Sequence, residues 1–201
     1  MLTICIQAGG ISSRMGQNKA LMPFLGKPLI ARIVERLRPA ADELWIIAND
    51  SEPFQFLGLP VSADLLPGMG KLGGLYTALS VAGEPLVALA ACDMPFVSAA
   101  LIQAACIMME EEDLDVVIPR SAEGLEPQHA VYRRETCLPA VYQALSEGKQ
   151  RMISWFDAVK VRELSLDEIR VYDPDGTAFI NVNTPDEFRR AEELAKTLES
   201  G

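Results

Sequence analysis

This chain of 201 residues lacks several features that mark particular protein classes. Its single histidine and four cysteines are widely spaced and form no CxxC pair, whereas zinc sites need closely spaced ligands. No apolar run approaches the roughly 18 residues of a membrane span, and the short apolar start lacks the basic region of a signal peptide. No repeat or low-complexity linker divides the chain. We therefore predict one domain over residues 1–201, long enough to bury a sizeable core.

The four cysteines, Cys5, Cys92, Cys106 and Cys137, all lie in apolar stretches. A free cysteine in such surroundings behaves as a small hydrophobic residue. We predict that all four are reduced and buried, which suits a cytoplasmic protein.

Acidic residues are missing from one part of an otherwise acidic chain. The whole chain has 18 basic and 28 acidic residues and a net charge of −10, which argues against nucleic acid and anionic membrane as partners. Residues 1–34, however, contain no Asp or Glu and carry Arg14, Lys19, Lys27 and Arg32. This segment predicts a local site for a small anion, with chance clustering as the alternative.

Strand-like and helix-like segments alternate along the chain, which is typical of a mainly parallel sheet with helices on both faces. Strands are predicted at Leu2–Gln7, Glu43–Ala48, Leu59–Ala63, Pro85–Cys92, Asp115–Pro119, Gln128–Tyr132 and 159–164. Helices are predicted at Pro28–Leu37, Leu75–Ala82, from the cap Ser98 to about Glu112, at 137–147 and 150–158, and after the capping box that begins at Thr184. The fold class is therefore α/β, with three α/β/α layers around a mainly parallel sheet. Ligands in such folds bind beyond the carboxyl ends of the strands.

A polar, glycine-rich loop from Ala8 to Lys19 follows the first strand. Glycines let backbone amides approach an anion, and hydroxyls and cations add further donors. Those residues are Gly9, Gly10, Ser12, Ser13, Arg14 and Lys19. The spacing matches neither G-x-x-x-x-G-K-[ST] nor G-x-G-x-x-G. The loop predicts a phosphate site, and a tight strand-to-helix connection is the alternative.

The chain resembles a known family in this loop and in four later motifs. The matching stretches are Gly9-Gly10-x-Ser-Ser-Arg-Met-Gly-x-x-Lys19 with Gly26-Lys27-Pro28-Leu29, Asp64, Gly70-x-Leu72-x-Gly74, Cys92-Asp93-Met94-Pro95, and Asn181-Val182-Asn183-Thr184-Pro185. Together they resemble the Rossmann-like nucleotidyltransferases, and among these the molybdenum cofactor guanylyltransferase family. The resemblance covers nearly the whole chain.

The resemblance implies transfer of GMP from GTP to the phosphate of molybdopterin, with magnesium as cofactor and pyrophosphate as product. It implies a nucleotide-binding N-terminal half and an acceptor-binding C-terminal half. Its implied catalytic residues are Lys19, Arg14 and Asp93, with Asp93 as the metal ligand. The implied nucleotide-binding residues are Gln7, Ala8, Gly9, Gly10, Ser12, Ser13, Lys19, Asn49, Asp64, Gly70, Gly74 and Asp93. Molybdoenzymes or cofactor-insertion proteins are the implied protein partners.

The residues themselves fit this chemistry. A phosphate that attacks the α-phosphorus of a nucleotide is already anionic, so the reaction needs positioning and charge screening but no strong base. Asp93 directly follows an apolar strand, and its hard oxygens suit magnesium; capping of a helix or turn is the alternative. Asn181 and Asn183 share one face of an extended stretch and are assigned with His129 to the acceptor. Turn capping for the asparagines and a structural role for His129 remain open.

Four positions depart from the family pattern. Gln7 stands where Leu is usual, Asn18 where Asp is common, Ile47 where Asn is found, and Lys71 where Pro is common. The departures at Ile47 and Lys71 leave open CTP in place of GTP, or a sugar phosphate as acceptor. A non-catalytic nucleotide-binding module is a further alternative, against which the presence of both Lys19 and Asp93 argues. The oligomeric state is not predicted.

Overall fold

A computed structural model of the chain describes residues 1–9 and 18–200. Its strands are β1 (Leu2–Gln7), β2 (Pro23–Phe24), β3 (Lys27–Pro28), β4 (Glu43–Ile47), β5 (Val61–Ser62), β6 (Leu86–Ala91), β7 (Val116–Ser121), β8 (Gly124–Leu125), β9 (Val131–Arg133) and β10 (Val161–Leu164). Its α-helices are α1 (Leu29–Leu37), α2 (Gly70–Val81), α3 (Ala99–Glu111), α4 (Arg134–Ser146), α5 (Leu166–Tyr172) and α6 (Pro185–Ser200).

The described residues form one eight-stranded sheet and a small β2–β3 hairpin. Strand order in the large sheet is β10-β7-β9-β6-β1-β4-β5, with β8 paired to β7. Neighbours from β6 to β5 run parallel, as do β7 and β10, whereas β9 runs antiparallel between β6 and β7. The parallel part brings the carboxyl ends of β1, β4, β5 and β6 to one edge of the sheet.

Helices cover both faces of this sheet, so the predicted three-layer α/β/α fold is confirmed. Ile4 and Ile6 of β1 pack with α1, α3 and α6 on one face, and Cys5 packs with α2 and α4 on the other. This alternation follows from the two-residue period of a strand. Every residue of β6 is buried, as its continuous apolar run predicts for a central parallel strand.

Local capping signals located two helices correctly. The Ser98 hydroxyl accepts a hydrogen bond from the Leu101 amide at the start of α3. The Thr184 hydroxyl accepts from the Glu187 amide, and the Glu187 carboxylate accepts from the Thr184 amide, which completes the predicted capping box of α6. A similar box at Ser165 and Glu168 begins α5, which the sequence analysis missed.

Other boundaries differ from prediction. Helix α2 begins at Gly70, earlier than predicted, because the second glycine loop enters the helix directly. The strand predicted at Gln128–Tyr132 is a 3₁₀ turn, Pro127–His129, followed by β9. The helix predicted at 150–158 is reduced to the 3₁₀ turn Phe156–Ala158.

The cationic N-terminal segment does not act as a unit. Lys27 pairs with Glu35 at 2.7 Å, and Arg32 pairs with Glu199 at 2.9 Å. These two cations are therefore neutralised by acids from helices α1 and α6, and the anion-site interpretation is left to Lys19 and Arg14.

The four cysteines are free as predicted, but only Cys5 and Cys137 are fully buried. Within the described ranges, no helix combines the length and apolar character needed to cross a bilayer.

Candidate functional site

A pocket of about 510 Å³ opens at the carboxyl ends of β1, β4 and β6. Its lining residues are Gln7, Gly9, Ile47, Asn49, Asp64, Gly68, Gly70, Lys71, Gly74, Ala91, Cys92, Asp93 and Gln128. Seven of the predicted nucleotide-binding residues, Gln7, Gly9, Asn49, Asp64, Gly70, Gly74 and Asp93, therefore surround one cavity. The place is the one that a parallel α/β sheet predicts for a ligand.

Lys19 is held beside this edge by its local structure. The Asn18 side chain accepts a hydrogen bond from the Ala20 amide and caps a 3₁₀ turn at Lys19–Leu21, which the buried Ala20 anchors. The Lys19 ammonium donates to the Asn183 side-chain oxygen at 2.7 Å. Lys19 thereby links the end of the phosphate loop to the predicted acceptor segment.

Two polar contacts order the loop that carries Asp64. The Asn49 side-chain oxygen accepts from the Asp64 amide at 3.0 Å. The buried Thr77 hydroxyl of α2 accepts from the Leu65 amide at 3.0 Å and donates to the Gly73 carbonyl. Asn49 thus positions the backbone of a second pocket residue, a role that its place after β4 did not reveal.

Asp93 lies in the turn that follows β6, one residue beyond Cys92, and is half-buried in the wall of the pocket. Its carbonyl accepts from the Val182 amide at 2.9 Å, which ties the Cys92-Asp93 turn to the asparagine segment. Burial, together with the nearby Asp93 carboxylate, raises the pKa of the neighbouring Cys92 thiol to about 12. Because Ser98 caps α3, that helix does not need Asp93 as its cap.

The donor set fits a magnesium ion. Asp93 and Asp64 bring two carboxylates to one pocket, and Mg²⁺ usually takes one or two carboxylates, with phosphate and water oxygens completing its shell. Among the residues described, no group of three or more His, Cys, Asp or Glu forms a complete metal site. A metal bound here would take its remaining ligands from outside this set, such as phosphate and water oxygens.

Asn181 and Asn183 line a second pocket of about 650 Å³, which also contains Glu126, Arg170 and Glu187. Its position beside Lys19 fits the predicted acceptor side. The Glu187 carboxylate accepts from the Asn183 amide at 2.7 Å, and this bond holds the pKa of Glu187 below its ordinary value. Glu187 therefore fixes the backbone from which Asn183 reaches Lys19.

His129 does not reach either pocket, so its assignment to the acceptor needs correction. Its ring is 1% exposed, lies edge-on to Phe179 with centroids 5.2 Å apart, and places Nε2 3.3 Å from the Ser98 amide. The structural alternative is the better account. His129 is the last residue of the 3₁₀ turn Pro127–His129, and in this turn its ring faces the protein interior. A regular strand would instead have placed successive side chains on opposite faces of the sheet.

We expect His129 to make the protein less stable in mild acid. Burial lowers the pKa of His129 to about 4, from an ordinary value of 6.5. Below pH 6.5 the unfolded chain therefore binds a proton that the folded chain does not, and stability falls until about pH 4. The free energy of unfolding should fall by about 2 kcal/mol between pH 7 and 5 from this group. Urea titrations of the wild type and His129→Gln test this, and equal pH slopes in the two proteins would contradict it.

Ile47 borders the pocket, but it is only 2% exposed and packs in an apolar cluster with Leu72 and Leu75. The Asn found here in the family would be buried in an apolar cluster of this chain. Ile47→Asn should lower the free energy of unfolding by about 3 kcal/mol or more and should not strengthen GTP binding. Ile47→Val is the matched control, with a loss of about 1 kcal/mol. Tighter GTP binding with unchanged stability would show that the position faces the nucleotide.

The predicted residues Gly10, Ser12, Ser13 and Arg14 lie outside the described residues. Ala8 is buried, and its amide donates to the Ile47 carbonyl at 2.9 Å, so its backbone joins β1 to β4 at the pocket edge.

The sequence analysis did not assign a role to Gln128, which lines the pocket beside Gln7 and Lys71. The departures at Gln7 and Lys71 were the available signal for a changed pocket wall.

Known proteins resemble this chain in both sequence and structure. The model of the MobA-like NTP transferase domain matches residues 4–162. A probable molybdenum cofactor guanylyltransferase of Carboxydothermus hydrogenoformans is 38% identical, with 94% of each chain covered. A molybdenum cofactor guanylyltransferase of Desulfosudis oleivorans is 35% identical over 97% of this chain and 96% of its own. The crystal structure of molybdopterin-guanine dinucleotide biosynthesis protein A from Archaeoglobus fulgidus superposes with a TM-score of 0.83 at 26% identity, covering 97% of this chain and 99% of that one.

The three-layer fold places a polar pocket at the carboxyl edge of its sheet, and the family match and the relatives show that the protein is an enzyme of the nucleotidyltransferase class. More narrowly, the chain belongs to the family of MobA-like NTP transferases that contains the molybdenum cofactor guanylyltransferases.

Proposed function

We propose that this enzyme transfers GMP from GTP to the phosphate of molybdopterin and releases pyrophosphate. The observation that carries the proposal is the hydrogen bond between Lys19, at the end of the glycine-rich loop, and Asn183, which lines the second pocket. A backbone hydrogen bond from the Val182 amide to the Asp93 carbonyl ties the same asparagine segment to the first pocket. A transferase needs two substrates side by side, and this segment connects the two pockets that would hold them. The names of the relatives support guanine as the base and molybdopterin as the acceptor.

Each residue has a simple task in this reaction. Asn49 and Asp64 hold the nucleotide on the β4 and β5 side of the pocket, where their mutual hydrogen bond keeps them in place. Lys19 screens the negative charge of the phosphates, and preorganised charge of this kind is usually the largest catalytic contribution. Asn181 and Asn183 orient the acceptor phosphate toward the α-phosphorus. The buried His129 takes no part.

We propose Mg²⁺ as the cofactor, held by Asp93 with help from Asp64. When bound, the ion would neutralise charge on the phosphates during transfer. In the absence of a third protein ligand among the described residues, metal affinity should depend on nucleotide.

The same proposal includes a cytoplasmic location and delivery of the product to molybdoenzymes or cofactor-insertion proteins. Four free cysteines, each buried or half-buried, suit a reducing compartment. The net charge of −10 argues against nucleic acid and anionic membranes as partners.

Pyrophosphate release with each nucleotide and each acceptor tests the proposal. The expected result is release with GTP and molybdopterin together and little release when either is missing. Preference for CTP would identify a cytidylyltransferase, and release with a sugar phosphate in place of the pterin would identify a different acceptor. Nucleotide binding without pyrophosphate release under all conditions would identify a non-catalytic module.

A further inference from the structure

Three polar side chains form a continuous chain of hydrogen bonds along one wall of the nucleotide pocket. The Lys71 ammonium donates to the Gln128 side-chain oxygen at 2.6 Å. The Gln128 amide nitrogen donates in turn to the Gln7 side-chain oxygen at 3.0 Å. Gln7 and Lys71 are two of the positions at which the sequence departs from the family pattern.

The chemistry of lysine fixes the direction of this chain. Lysine has donors and no acceptor, so it requires the oxygen of Gln128 to face it. The nitrogen of Gln128 must then face Gln7, and the Gln7 oxygen must accept the hydrogen bond from it. The one group left at the far end is the Gln7 amide nitrogen, a donor. Lys71 thus fixes the orientation of the Gln128 amide and, through it, that of the Gln7 amide. As a result Gln7 presents its N–H groups and not its carbonyl.

This terminal donor is buried and has no hydrogen-bond partner among the described residues. It lies against Gly74, where an added Cβ would be 2.5 Å from the nitrogen. The absence of a side chain at Gly74 therefore gives the amide its place in the pocket wall. A buried, unsatisfied donor is costly and calls for an acceptor.

We propose that the Lys71–Gln128–Gln7 chain is an oxo-versus-amino selector for the base of the bound nucleotide. An exocyclic oxygen, such as the 6-oxo group of guanine, accepts from the Gln7 donor. An exocyclic amino group at that place, as in adenine or cytosine, is itself a donor. It would face the Gln7 donor and leave both N–H groups without an acceptor. The inference rests on the proposed function and adds the specificity-determining residues of its nucleotide pocket.

The test compares equilibrium binding of GTP and 2,6-diaminopurine riboside triphosphate, without acceptor. The two ligands share the 2-amino group and differ chiefly in a 6-oxo against a 6-amino group. The wild type should bind GTP tighter by about tenfold or more, as expected for a hydrogen bond against an unpaired donor. In Gln128→Glu the carboxylate accepts from both Lys71 and Gln7, so the Gln7 amide must turn and present its oxygen. The preference should then shrink or reverse.

Two further variants keep the test independent of that one substitution. Gln7→Leu removes the donor and restores the residue usual in the family, so the preference should fall while the fold persists. Lys71→Met frees both amides to turn and should lower the preference in the same direction. Lys149→Met is the matched control, since Lys149 pairs with Glu147 and is absent from the pocket lining. This variant should keep the wild-type ratio of affinities for GTP and for 2,6-diaminopurine riboside triphosphate.

The ratio of the two affinities separates this role from general effects. Loss of a charge near the triphosphate changes both affinities together and leaves their ratio fixed. An unchanged ratio in Gln128→Glu and Gln7→Leu would overturn the selector. Failure of the proposed function gives a different result: the wild type itself would bind CTP in preference to GTP, or would release no pyrophosphate with molybdopterin.

Discussion

Lys19→Ala should reduce turnover by a factor of about 10² to 10³ while the protein stays folded. The side chain removed carries the charge that we propose screens the phosphates, and its ammonium donates to Asn183 at 2.7 Å. The cap from Asn18 and the buried Ala20 remain and hold the turn. Loss of one exposed hydrogen bond should lower the free energy of unfolding by about 1 kcal/mol or less. Steady-state kinetics with GTP and molybdopterin, beside thermal unfolding, measure both effects.

Lys27→Ala is the matched control for Lys19→Ala. Lys27 belongs to the same cationic segment, but its ammonium pairs with Glu35 on the surface. Its loss should leave turnover unchanged. Near-normal turnover in a folded Lys19→Ala protein would contradict the assignment of Lys19 to the phosphates. Equal losses in both variants would mean that the general charge of the segment matters and not the position of one lysine.

The contrast between these two lysines shows what sequence alone could predict. Both lie in a segment without acids, and nothing local distinguishes them. Glu35 is eight residues from Lys27, whereas Asn183 is 164 residues from Lys19. The anion-site prediction therefore names a region and does not say which of its cations is available to a ligand. Pairing over such distances depends on the fold and leaves no local pattern.

Predictions with a local physical cause agreed best with the structure. The Ser98 and Thr184 caps depend on hydrogen bonds between residues three apart, and both helices begin where predicted. The cap at Ser165 has the same cause, so α5 could have been predicted from Ser165 and Glu168. The direction of β9 depends instead on strands β6 and β7, which flank it, and lies beyond local patterns.

The pocket itself was predicted as a place and only partly as a set of contacts. The carboxyl ends of β1, β4 and β6 follow from the α/β pattern, and Asn49, Asp64 and Asp93 lie there. The link from Lys71 through Gln128 to Gln7 joins residues up to 121 positions apart. Their meeting depends on the turn at 127–129, which had been predicted as a strand. A wrong local prediction therefore concealed one wall of the site.

Asp93→Asn should reduce activity by orders of magnitude, since the substitution removes a negative metal ligand while keeping the volume of the side chain. The fold should persist, because α3 is capped by Ser98 and the Asp93 carbonyl still accepts from Val182. Without metal, stability should hold or rise slightly, as one of two carboxylates in the pocket becomes neutral. Turnover and melting temperature measure these effects. Asp157→Asn, an exposed acid on the turn Phe156–Ala158, is the control and should change neither.

The metal can be tested directly through ligand-linked stability. A ligand that binds only the folded state raises the melting temperature, and at a given concentration it does so more the tighter it binds. With GTP present, magnesium should therefore raise the melting temperature of the wild type more than that of Asp93→Asn. Equal protection of the two proteins would show that Asp93 does not bind the metal. Asp64 would then be the remaining carboxylate of this pocket, and Asp64→Asn should abolish the protection that Asp93→Asn had left intact.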